Sequence, residues 1–335
     1  MPEQDPDELR PDMRRFQQTL QAAYAGHPPL DSVDLVQIRQ ITEAVRAPLA
    51  QGGPTMVRSE EYFIDVLGQA SYGPLRLRVH RPSTASPLPA LIYLHGGGWV
   101  FFSIDSHDRL MRELAARAGR VVIGVDYARA PEARFPVALK QTLAAWHWVQ
   151  EQATALGIDE ASVGLGGDSA GANLALATAL ALRDRAGQDL TPSGRRHQPD
   201  ALLLNYGVFS DDDSGESFKR YDGPRFTLES EEMRGFWNHY LGEARAERDN
   251  PLAMPLKADL RGLPRCCLVV ADCDVLRDSS LALAAALQTA GVTHALQRHA
   301  GAPHSFLEAI SFSPTADRAF EQSSAWLRGD DEGTA

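Results

Sequence analysis

Gly167-Asp168-Ser169-Ala170-Gly171 is the stretch of the sequence that decides the fold. The apolar residues 162–165 before it predict a buried strand, and the alanine-rich residues 170–185 after it predict a helix. A serine between glycines two positions before and after is typical of a sharp strand-to-helix turn, where only very small residues let strand and helix approach closely. Such a strained turn presents the hydroxyl of Ser169 away from the sheet, as a nucleophile requires.

Short apolar segments alternate with helical segments on both sides of this turn. The pattern predicts strands at residues 90–94, 121–125, 162–165, 201–206, 266–271 and 295–299, and helices at residues 109–118, 137–155, 170–185, 280–290 and 316–327. Strands that are apolar throughout and separated by helices imply parallel crossovers with both sheet faces covered. The sequence therefore predicts a doubly wound, mostly parallel α/β sheet. Residues 62–66 and 75–79 flank Gly73-Pro74 and predict an antiparallel pair at its edge.

Two stretches depart from this alternation. Residues 1–50 hold two helical patterns, and about 60 residues separate the strand at 201–206 from the strand at 266–271, with an aromatic helix predicted at 229–241. We expect residues 1–50 and an insertion at 207–245 to form a helical cap over a catalytic domain of residues 51–206 and 246–328. Residues 329–335 are expected to be a disordered tail.

Composition and charge narrow the class of protein. The chain has 335 residues, 44% of them hydrophobic, and its 33 basic and 44 acidic residues give a net charge of -11. This charge disfavours nucleic acid and anionic membrane surfaces as partners, and no segment predicts a membrane span. The N-terminus lacks the pattern of a signal peptide, and three cysteines within eight residues of one predicted strand indicate reduced thiols. We expect a cytoplasmic protein with a small-molecule ligand.

A glycine-rich loop follows the strand predicted at residues 90–94. It reads His95-Gly96-Gly97-Gly98-Trp99. Glycines can turn their backbone N–H groups toward one point, which suits an oxyanion that develops during acyl transfer. We expect Gly96, Gly97 and Gly98 to form an oxyanion hole, with Gly97 and Gly98 as donors and the N–H of Ala170 as a third. His95 is predicted to support the loop by hydrogen bonding.

The base that serves Ser169 should follow it, on a loop after a later strand. Three histidines follow the strand predicted at 266–271: His294, His299 and His304. The first precedes the last strand and the second ends it, whereas His304 lies beyond it in a turn that can carry the imidazole over the sheet edge. His304 is therefore the predicted base.

The acid should lie on the loop before the next helix. Three aspartates are candidates: Asp272, Asp274 and Asp278. Asp274 is favoured by its position in the middle of the loop, and Asp278 would otherwise cap the following helix. Spacing alone leaves all three open.

Five motifs stand in order along the chain: His95-Gly-Gly-Gly98, Val125-Asp-Tyr-Ala-Arg-Ala-Pro-Glu132 with Arg134-Phe-Pro136, Gly167-Asp-Ser-Ala-Gly171, Asp274-Val-Leu-Arg-Asp278 and Pro303-His-Ser-Phe306. Together they resemble the hormone-sensitive-lipase-like family of α/β-hydrolases, most closely its bacterial acetyl esterases, over residues 60–327. The resemblance implies the α/β-hydrolase fold and carboxylic ester hydrolysis by a triad of Ser169, Asp274 and His304. It also implies no metal or organic cofactor, a cap over the pocket and often a homodimer.

The aromatic residues after the glycine loop bear on the substrate. Large rings at Trp99, Phe101 and Phe102 would shorten an acyl pocket, although core packing is the alternative for the two phenylalanines. We expect Trp99 to line the acyl pocket of an esterase for acetyl to butyryl esters. Asp168 and Glu132 are interpreted as scaffold contacts. The alternatives are an amidase, peptidase or transacylase with the same triad, and a non-catalytic binding protein on a hydrolase scaffold.

Overall fold

The computed structural model of the protein describes residues 8–185, 198–242 and 245–330, so the predicted tail lies outside them from residue 331 onward. In this part of the chain eight strands form one sheet: β1 (Arg58–Ile64), β2 (Leu75–Arg81), β3 (Leu88–Leu94), β4 (Val121–Asp126), β5 (Ile158–Asp168), β6 (Ala201–Asn205), β7 (Arg265–Cys273) and β8 (His294–Pro303). The spatial order is β1-β2-β4-β3-β5-β6-β7-β8. β2 pairs antiparallel with β1 and with β4, and the other neighbours are parallel. The predicted mostly parallel sheet with an antiparallel edge pair is confirmed.

The helices of the described residues follow the predicted pattern closely. They are α1 (Pro11–Tyr24), α2 (Leu35–Arg46), α3 (Asp108–Ala118), α4 (Val137–Leu156), α5 (Ala170–Arg185), α6 (Glu216–Arg220), α7 (Ser230–Leu241), α8 (Arg277–Thr289) and α9 (Pro314–Arg328). The short α6 is the one that the sequence pattern did not predict. α7 begins with a capping box in which the side chains of Glu229 and Glu232 satisfy each other's backbone N–H groups.

Both faces of the sheet are covered, as a doubly wound fold requires. Along β3, Ile92 and Leu94 join a core formed with α4, α5 and α8, whereas Leu91 and Tyr93 face a second core formed with α1, α3 and α9. This is the period-two alternation of a strand that is buried on both sides. Each fully buried large apolar side chain contributes about 1.5–3 kcal/mol of transfer free energy.

The N-terminal helices contact the loops that follow the parallel strands. Arg39 of α2 donates to the carbonyls of Val100 (2.9 Å) and Ala130 (2.6 Å), which lie after β3 and β4. Gln17 of α1 donates to the carbonyl of Pro224 in the 207–245 insertion (2.7 Å). These contacts bring the two stretches that departed from the α/β alternation to the same edge of the sheet.

Two further expectations concern the cysteines and membrane-spanning helices. All three cysteines lie buried in β7 as thiols, and burial raises the pKa of the Cys266 thiol to about 12. Among the helices that the structure describes, none combines the length and the apolar character that crossing a membrane requires.

Candidate active site

Ser169 lies at the sharp turn between β5 and α5. Its φ of 54° is in the left-handed region, which a residue with a side chain rarely adopts. A Cβ atom on Gly171 would stand 1.9 Å from the carbonyl oxygen of Leu94, and one on Gly167 would stand 2.6 Å from the same oxygen. Both glycines of the motif are therefore required. A Cβ atom on Gly167 would also stand 2.4 Å from the carbonyl carbon of Gly171, so β5 approaches α5 as closely as the sequence predicted, and the structure adds the close approach of β3.

The structure brings Ser169, His304 and Asp274 together. His304 Nε2 lies 2.9 Å from Ser169 Oγ, and His304 Nδ1 lies 2.6 Å from Asp274 Oδ2. All three side chains are buried. β7 ends at Cys273 and β8 ends at Pro303, so the carboxylate and the imidazole each follow directly on a strand of the central sheet. Two neighbouring rigid strands thus hold the side chains of Asp274 and His304 in register.

The other predicted candidates have different partners. Asp272 pairs with Arg298 (2.9 Å), and Asp278 accepts the backbone N–H of Ser217 (2.8 Å). His294 stands at the start of β8, and His299 packs against Phe306. None of these side chains reaches Ser169, which separates the candidates that spacing alone left open.

The environment of His304 favours its charged form. Burial acts to lower the pKa of this imidazole, but the charge and hydrogen bond of Asp274 outweigh burial and raise the pKa above its usual value. Tyr206, directly after β6, packs edge-on against the ring at 5.1 Å between centroids. Sequence reasoning missed Tyr206, whose only signal is its place at the end of a strand.

Gly97 and Gly98 face the same space as Ser169. Both line the cavity that contains Ser169 and His304, and both have positive φ (105° and 59°). In the described residues neither N–H donates to a backbone or side-chain acceptor. The N–H of Ala170 is at the first position of α5, where no helical acceptor exists. Gly97, Gly98 and Ala170 thus lie beside Ser169, and their role as oxyanion donors stays a prediction.

The expectation for Gly96 needs correction. Its N–H donates to Asp168 Oδ1 (3.1 Å), which leaves it unavailable to a substrate oxygen. The same carboxylate oxygen accepts the Tyr93 hydroxyl (2.9 Å). Gly96 therefore anchors the loop to the turn before Ser169, and a Cβ atom on Gly96 would collide with Asp168 at 2.3 Å.

His95 and His107 support the loop from behind. His95 Nδ1 lies 2.7 Å from the Gly96 carbonyl, and its ring stacks on Tyr127 at 4.2 Å. His107, which sequence reasoning missed, lies 3.3 Å from Asp168 Oδ2. Burial opposes both charges, yet the pairing lowers the pKa of Asp168 and raises the pKa of His107. The predicted scaffold role of Asp168 agrees with these contacts.

A cavity of about 480 Å³ opens over Ser169 and His304. Phe101 and Phe102 line it, but Trp99, predicted to line the acyl pocket, does not. The indole of Trp99 is 1% exposed and stacks on Tyr240 at 4.2 Å, so it belongs to the core. The walls come from α1, α2, the glycine loop, and the segment that leads into α7. The lining residues are Gln17, Leu20, Gln21, Tyr24, Leu30, Thr42, Arg46, Gly97, Gly98, Phe101, Phe102, Ser169, Pro224, Phe226, Thr227, Leu228, Glu229, Glu232, Phe236, His304 and Ser305.

Two carboxylates and two imidazoles near Ser169 form pairs. Asp274 pairs with His304 and Asp168 with His107. Across residues 8–185, 198–242 and 245–330, no three or more His, Cys, Asp or Glu side chains are grouped so that they could hold a metal ion.

A profile of the α/β hydrolase fold family matches residues 91–308, which include the glycine loop, Ser169, Asp274 and His304. The chain belongs to the α/β-hydrolase family. This α/β-hydrolase is 37% identical over 247 residues to an ethyl acetate hydrolase of Pseudomonas putida, across 72% of this chain and 74% of that protein. It is 34% identical over 254 residues to an acetyl esterase of Salmonella paratyphi B, across 75% of each. The predicted resemblance to hormone-sensitive-lipase-like hydrolases and acetyl esterases is confirmed.

Solved structures of similar α/β-hydrolases extend the likeness over nearly the whole chain. A hyperthermophilic esterase from the archaeon Pyrobaculum calidifontis superimposes with a TM-score of 0.85 at 32% identity, covering 96% of this chain and 99% of that one. A thermostable carboxylesterase cloned from a metagenomic library superimposes with a TM-score of 0.82 at 32% identity, covering 90% of this chain and 99% of that one. The predicted α/β-hydrolase fold is therefore confirmed.

Proposed function

We propose that this α/β-hydrolase is a serine carboxylesterase for short-chain acyl esters, with Ser169 as nucleophile, His304 as base and Asp274 as the acid of the triad. The observation that carries the proposal is the unbroken chain of contacts from Ser169 Oγ through His304 to Asp274, at 2.9 and 2.6 Å. The coarser prediction, a carboxylic ester hydrolase, is confirmed by the named esterases that this chain matches over most of its length.

In the acylation step, His304 Nε2 takes the proton of Ser169 Oγ as that oxygen attacks the ester carbonyl. Asp274 holds the imidazole in the required tautomer through Nδ1 and stabilises its charged form. The N–H groups of Gly97, Gly98 and Ala170 stabilise the negative charge that develops on the carbonyl oxygen. His304 then gives the proton to the departing alcohol, leaving an acyl group on Ser169.

In the deacylation step, water replaces the alcohol. His304 removes a proton from this water as it attacks the acyl carbonyl, and the same N–H groups stabilise the second oxyanion. The proton returns to Ser169 Oγ when the acid leaves.

We also propose that the stretches 1–50 and 207–245, as far as the structure describes them, form the cap of this enzyme. The proposal is supported by the cavity wall, to which α1, α2 and the segment before α7 all contribute side chains. Phe236 of α7 packs on the glycine loop so closely that a Cβ atom on Gly98 would stand 2.3 Å from the ring. The cytoplasmic location and the homodimer remain predictions.

The nucleophile assignment is tested by Ser169→Ala. Because removing the serine of such a triad abolishes covalent catalysis, we expect kcat to fall on the order of 10⁶-fold with the fold retained. Activity is measured on a short-chain nitrophenyl ester, and circular dichroism monitors the fold. A serine-directed phosphonate should label the wild type at Ser169 and leave the variant unlabelled. A folded variant that keeps its esterase activity would overturn the assignment.

Acyl length is tested with a series of nitrophenyl esters from acetate to dodecanoate. Phe101 and Phe102 are rigid rings in the cavity wall, so we expect the highest kcat/KM between acetyl and butyryl. Faster turnover of dodecanoate than of acetate would show that the acyl side is open, and the short-chain part of the proposal would fail.

A further inference from the structure

Arg46, the last residue of α2, places a guanidinium group in the wall of the catalytic cavity. Its side chain is only 8% exposed. The guanidinium carbon lies 5.2 Å from the ring centre of Phe102 and 6.0 Å from that of Tyr24, and both rings line the same cavity. A buried cation is thus held against two aromatic walls in the space that receives the substrate.

The counter-ion of Arg46 stands behind it. Arg46 Nε lies 2.6 Å from Glu308 Oε2, and Glu308 is 9% exposed and does not line the cavity. A guanidinium carries five N–H donors, and buried donors are normally hydrogen-bonded. Nε faces Glu308 and Nη1 is fully buried without a hydrogen-bond partner in the described part of the chain, so neither atom can meet a group in the cavity. Nη2 donates to no acceptor among the described residues and is not among the fully buried atoms, so it is the donor that a group in the cavity can meet.

The surrounding charges indicate which acceptor fits. Glu308 neutralises Arg46, and two further carboxylates, Glu229 and Glu232, line the cavity. An anionic group would be repelled by these carboxylates, and a cationic group would be repelled by the guanidinium. An uncharged oxygen, such as that of an ether, a hydroxyl or a second ester, is repelled by neither and can accept a charge-assisted hydrogen bond from Arg46.

We propose that Arg46 is a specificity-determining residue that donates a hydrogen bond to an uncharged oxygen on the alcohol moiety of the ester. The preferred substrates are then short-chain acyl esters of alcohols that carry a second oxygen function. This inference rests on the proposed function, because a short acyl group fills little of the cavity of about 480 Å³ and leaves the remainder to the alcohol.

The first measurement uses the wild-type enzyme and two esters of equal length, 2-methoxyethyl acetate and butyl acetate. They differ by one ether oxygen in place of a methylene group. After division by the rates of hydroxide hydrolysis, we expect kcat/KM to favour the ether ester about tenfold or more, as a hydrogen bond from a charged donor allows. No preference, or a preference for butyl acetate, would overturn the inference. Hydrolysis of neither ester would instead count against the proposed esterase.

The second measurement assigns the preference to Arg46. In Arg46→Met/Glu308→Gln, which removes both members of the ion pair and leaves no buried charge alone, the ratio of the two kcat/KM values should fall about tenfold or more. Arg261→Met/Asp259→Asn removes an exposed pair outside the cavity wall and should leave the ratio unchanged. A ratio unchanged in the Arg46 variant while both esters are still hydrolysed would overturn the inference.

A third ester tests the charge argument. The acetate ester of 3-hydroxypropanoate carries a carboxylate on the alcohol side. We expect the wild type to hydrolyse it with a lower kcat/KM than 2-methoxyethyl acetate, and the reverse order would show that Arg46 serves an anion. If the double variant does not fold, the wild-type ratios can still overturn the proposal, because no preference for 2-methoxyethyl acetate, or a preference for the carboxylate ester, contradicts it.

Discussion

At the scale of single residues, the protonation of His304 sets the pH range in which the proposed mechanism works. The imidazole acts as a base only while it is neutral, and Asp274 raises its pKa above the ordinary value near 6.5. Activity should therefore fall as the pH drops through a pKa that lies above 6.5. Because Asp274 stabilises the imidazolium, its removal should move this acidic limb to lower pH.

We predict that Asp274→Asn lowers kcat about 10⁴-fold and shifts the acidic limb of the kcat/KM profile downward. The measurement is a pH series on one short-chain ester. Asp272→Asn is the matched control, since Asp272 is two residues away and pairs with Arg298 (2.9 Å) instead of His304. If the limb stays in place in Asp274→Asn, or moves as far in Asp272→Asn, Asp274 is not the acid of the triad.

Residue identity and chain order were enough to predict Ser169, His304 and the contact of His304 with Asp274, given the resemblance. They were not enough for Gly96 and Trp99, because the direction of an N–H or a side chain depends on backbone dihedral angles. Trp99 has a φ of 61°, and its indole lies with Trp237 and Tyr240 in the core. A residue expected to extend along the cavity thus faces away from it.

At the scale of elements, α2 is tied to the loops that shape the catalytic centre. Arg39 donates to Val100 (2.9 Å), two residues after Gly98, and to Ala130 (2.6 Å), and it forms a bidentate pair with Glu132. The N–H of Ala130 in turn donates to the carbonyl of Trp99 (2.9 Å). One guanidinium therefore joins a helix from the N-terminus to the segment that carries the proposed oxyanion donors.

We predict that Arg39→Lys lowers kcat about 10- to 100-fold with a smaller change in KM. A lysine ammonium cannot reproduce the planar fork that serves two carbonyls and a carboxylate, and small displacements of catalytic groups are costly. Glu132→Gln keeps both carbonyl contacts of Arg39 available and should remain close to wild type. Steady-state kinetics on a short-chain ester checks both variants. If both variants lose kcat equally, the loss is caused by breaking the Arg39–Glu132 ion pair and not by losing the bonds from Arg39 to the loop carbonyls.

The positions of α1, α2 and α7 were predictable from their apolar spacing, because each buries one face against the molecule. What they touch was not predictable. Arg39 and Arg46 are two turns apart on α2, yet one meets backbone carbonyls behind the loop and the other meets the cavity and Glu308. Such contacts join residues that are far apart in sequence, and the spacing of apolar residues along a helix does not predict them.

At the scale of the whole molecule, four of the five buried imidazoles in the described residues have a shifted pKa and give the fold a dependence on pH. Burial lowers the pKa of His95 to about 3 and that of His299 to about 4. Pairing with carboxylates outweighs burial and raises the pKa of His107 and of His304. His107 and His304, whose pKa is raised by folding, therefore increase the free energy of unfolding. This increase is fully present below the unfolded pKa near 6.5 and is lost as the pH rises through their folded pKa.

His95 and His299, whose pKa is lowered by folding, change the free energy of unfolding over a different pH range. Below pH 6.5 the unfolded chain binds protons at both positions while the folded protein does not, so stability falls until the folded pKa is reached. Carboxylates with a lowered pKa, such as Asp168, stabilise the folded protein, and this stabilisation is lost only below about pH 4, the usual pKa of an aspartate. Burial raises the pKa of the Glu43 and Asp126 carboxyls, which therefore take up protons earlier in the folded protein and offset part of this loss. Between pH 6.5 and 4.5 the loss itself should come mainly from His95 and His299.

We predict that the free energy of unfolding falls between pH 6.5 and 4.5 by on the order of 2 kcal/mol for each of these two imidazoles. His299→Leu should remove half of that slope, since His299 is buried against Phe306 and its Nε2 has no hydrogen-bond partner among the described residues. The exposed His239 supplies the control, and His239→Gln should keep the full slope. Denaturant unfolding at a series of pH values measures all three proteins. A buried imidazole that resists protonation in the folded state must cost the wild type stability on acidification, and His299→Leu lacks that cost. If the two proteins lose stability equally on acidification, the acid sensitivity therefore arises at other residues.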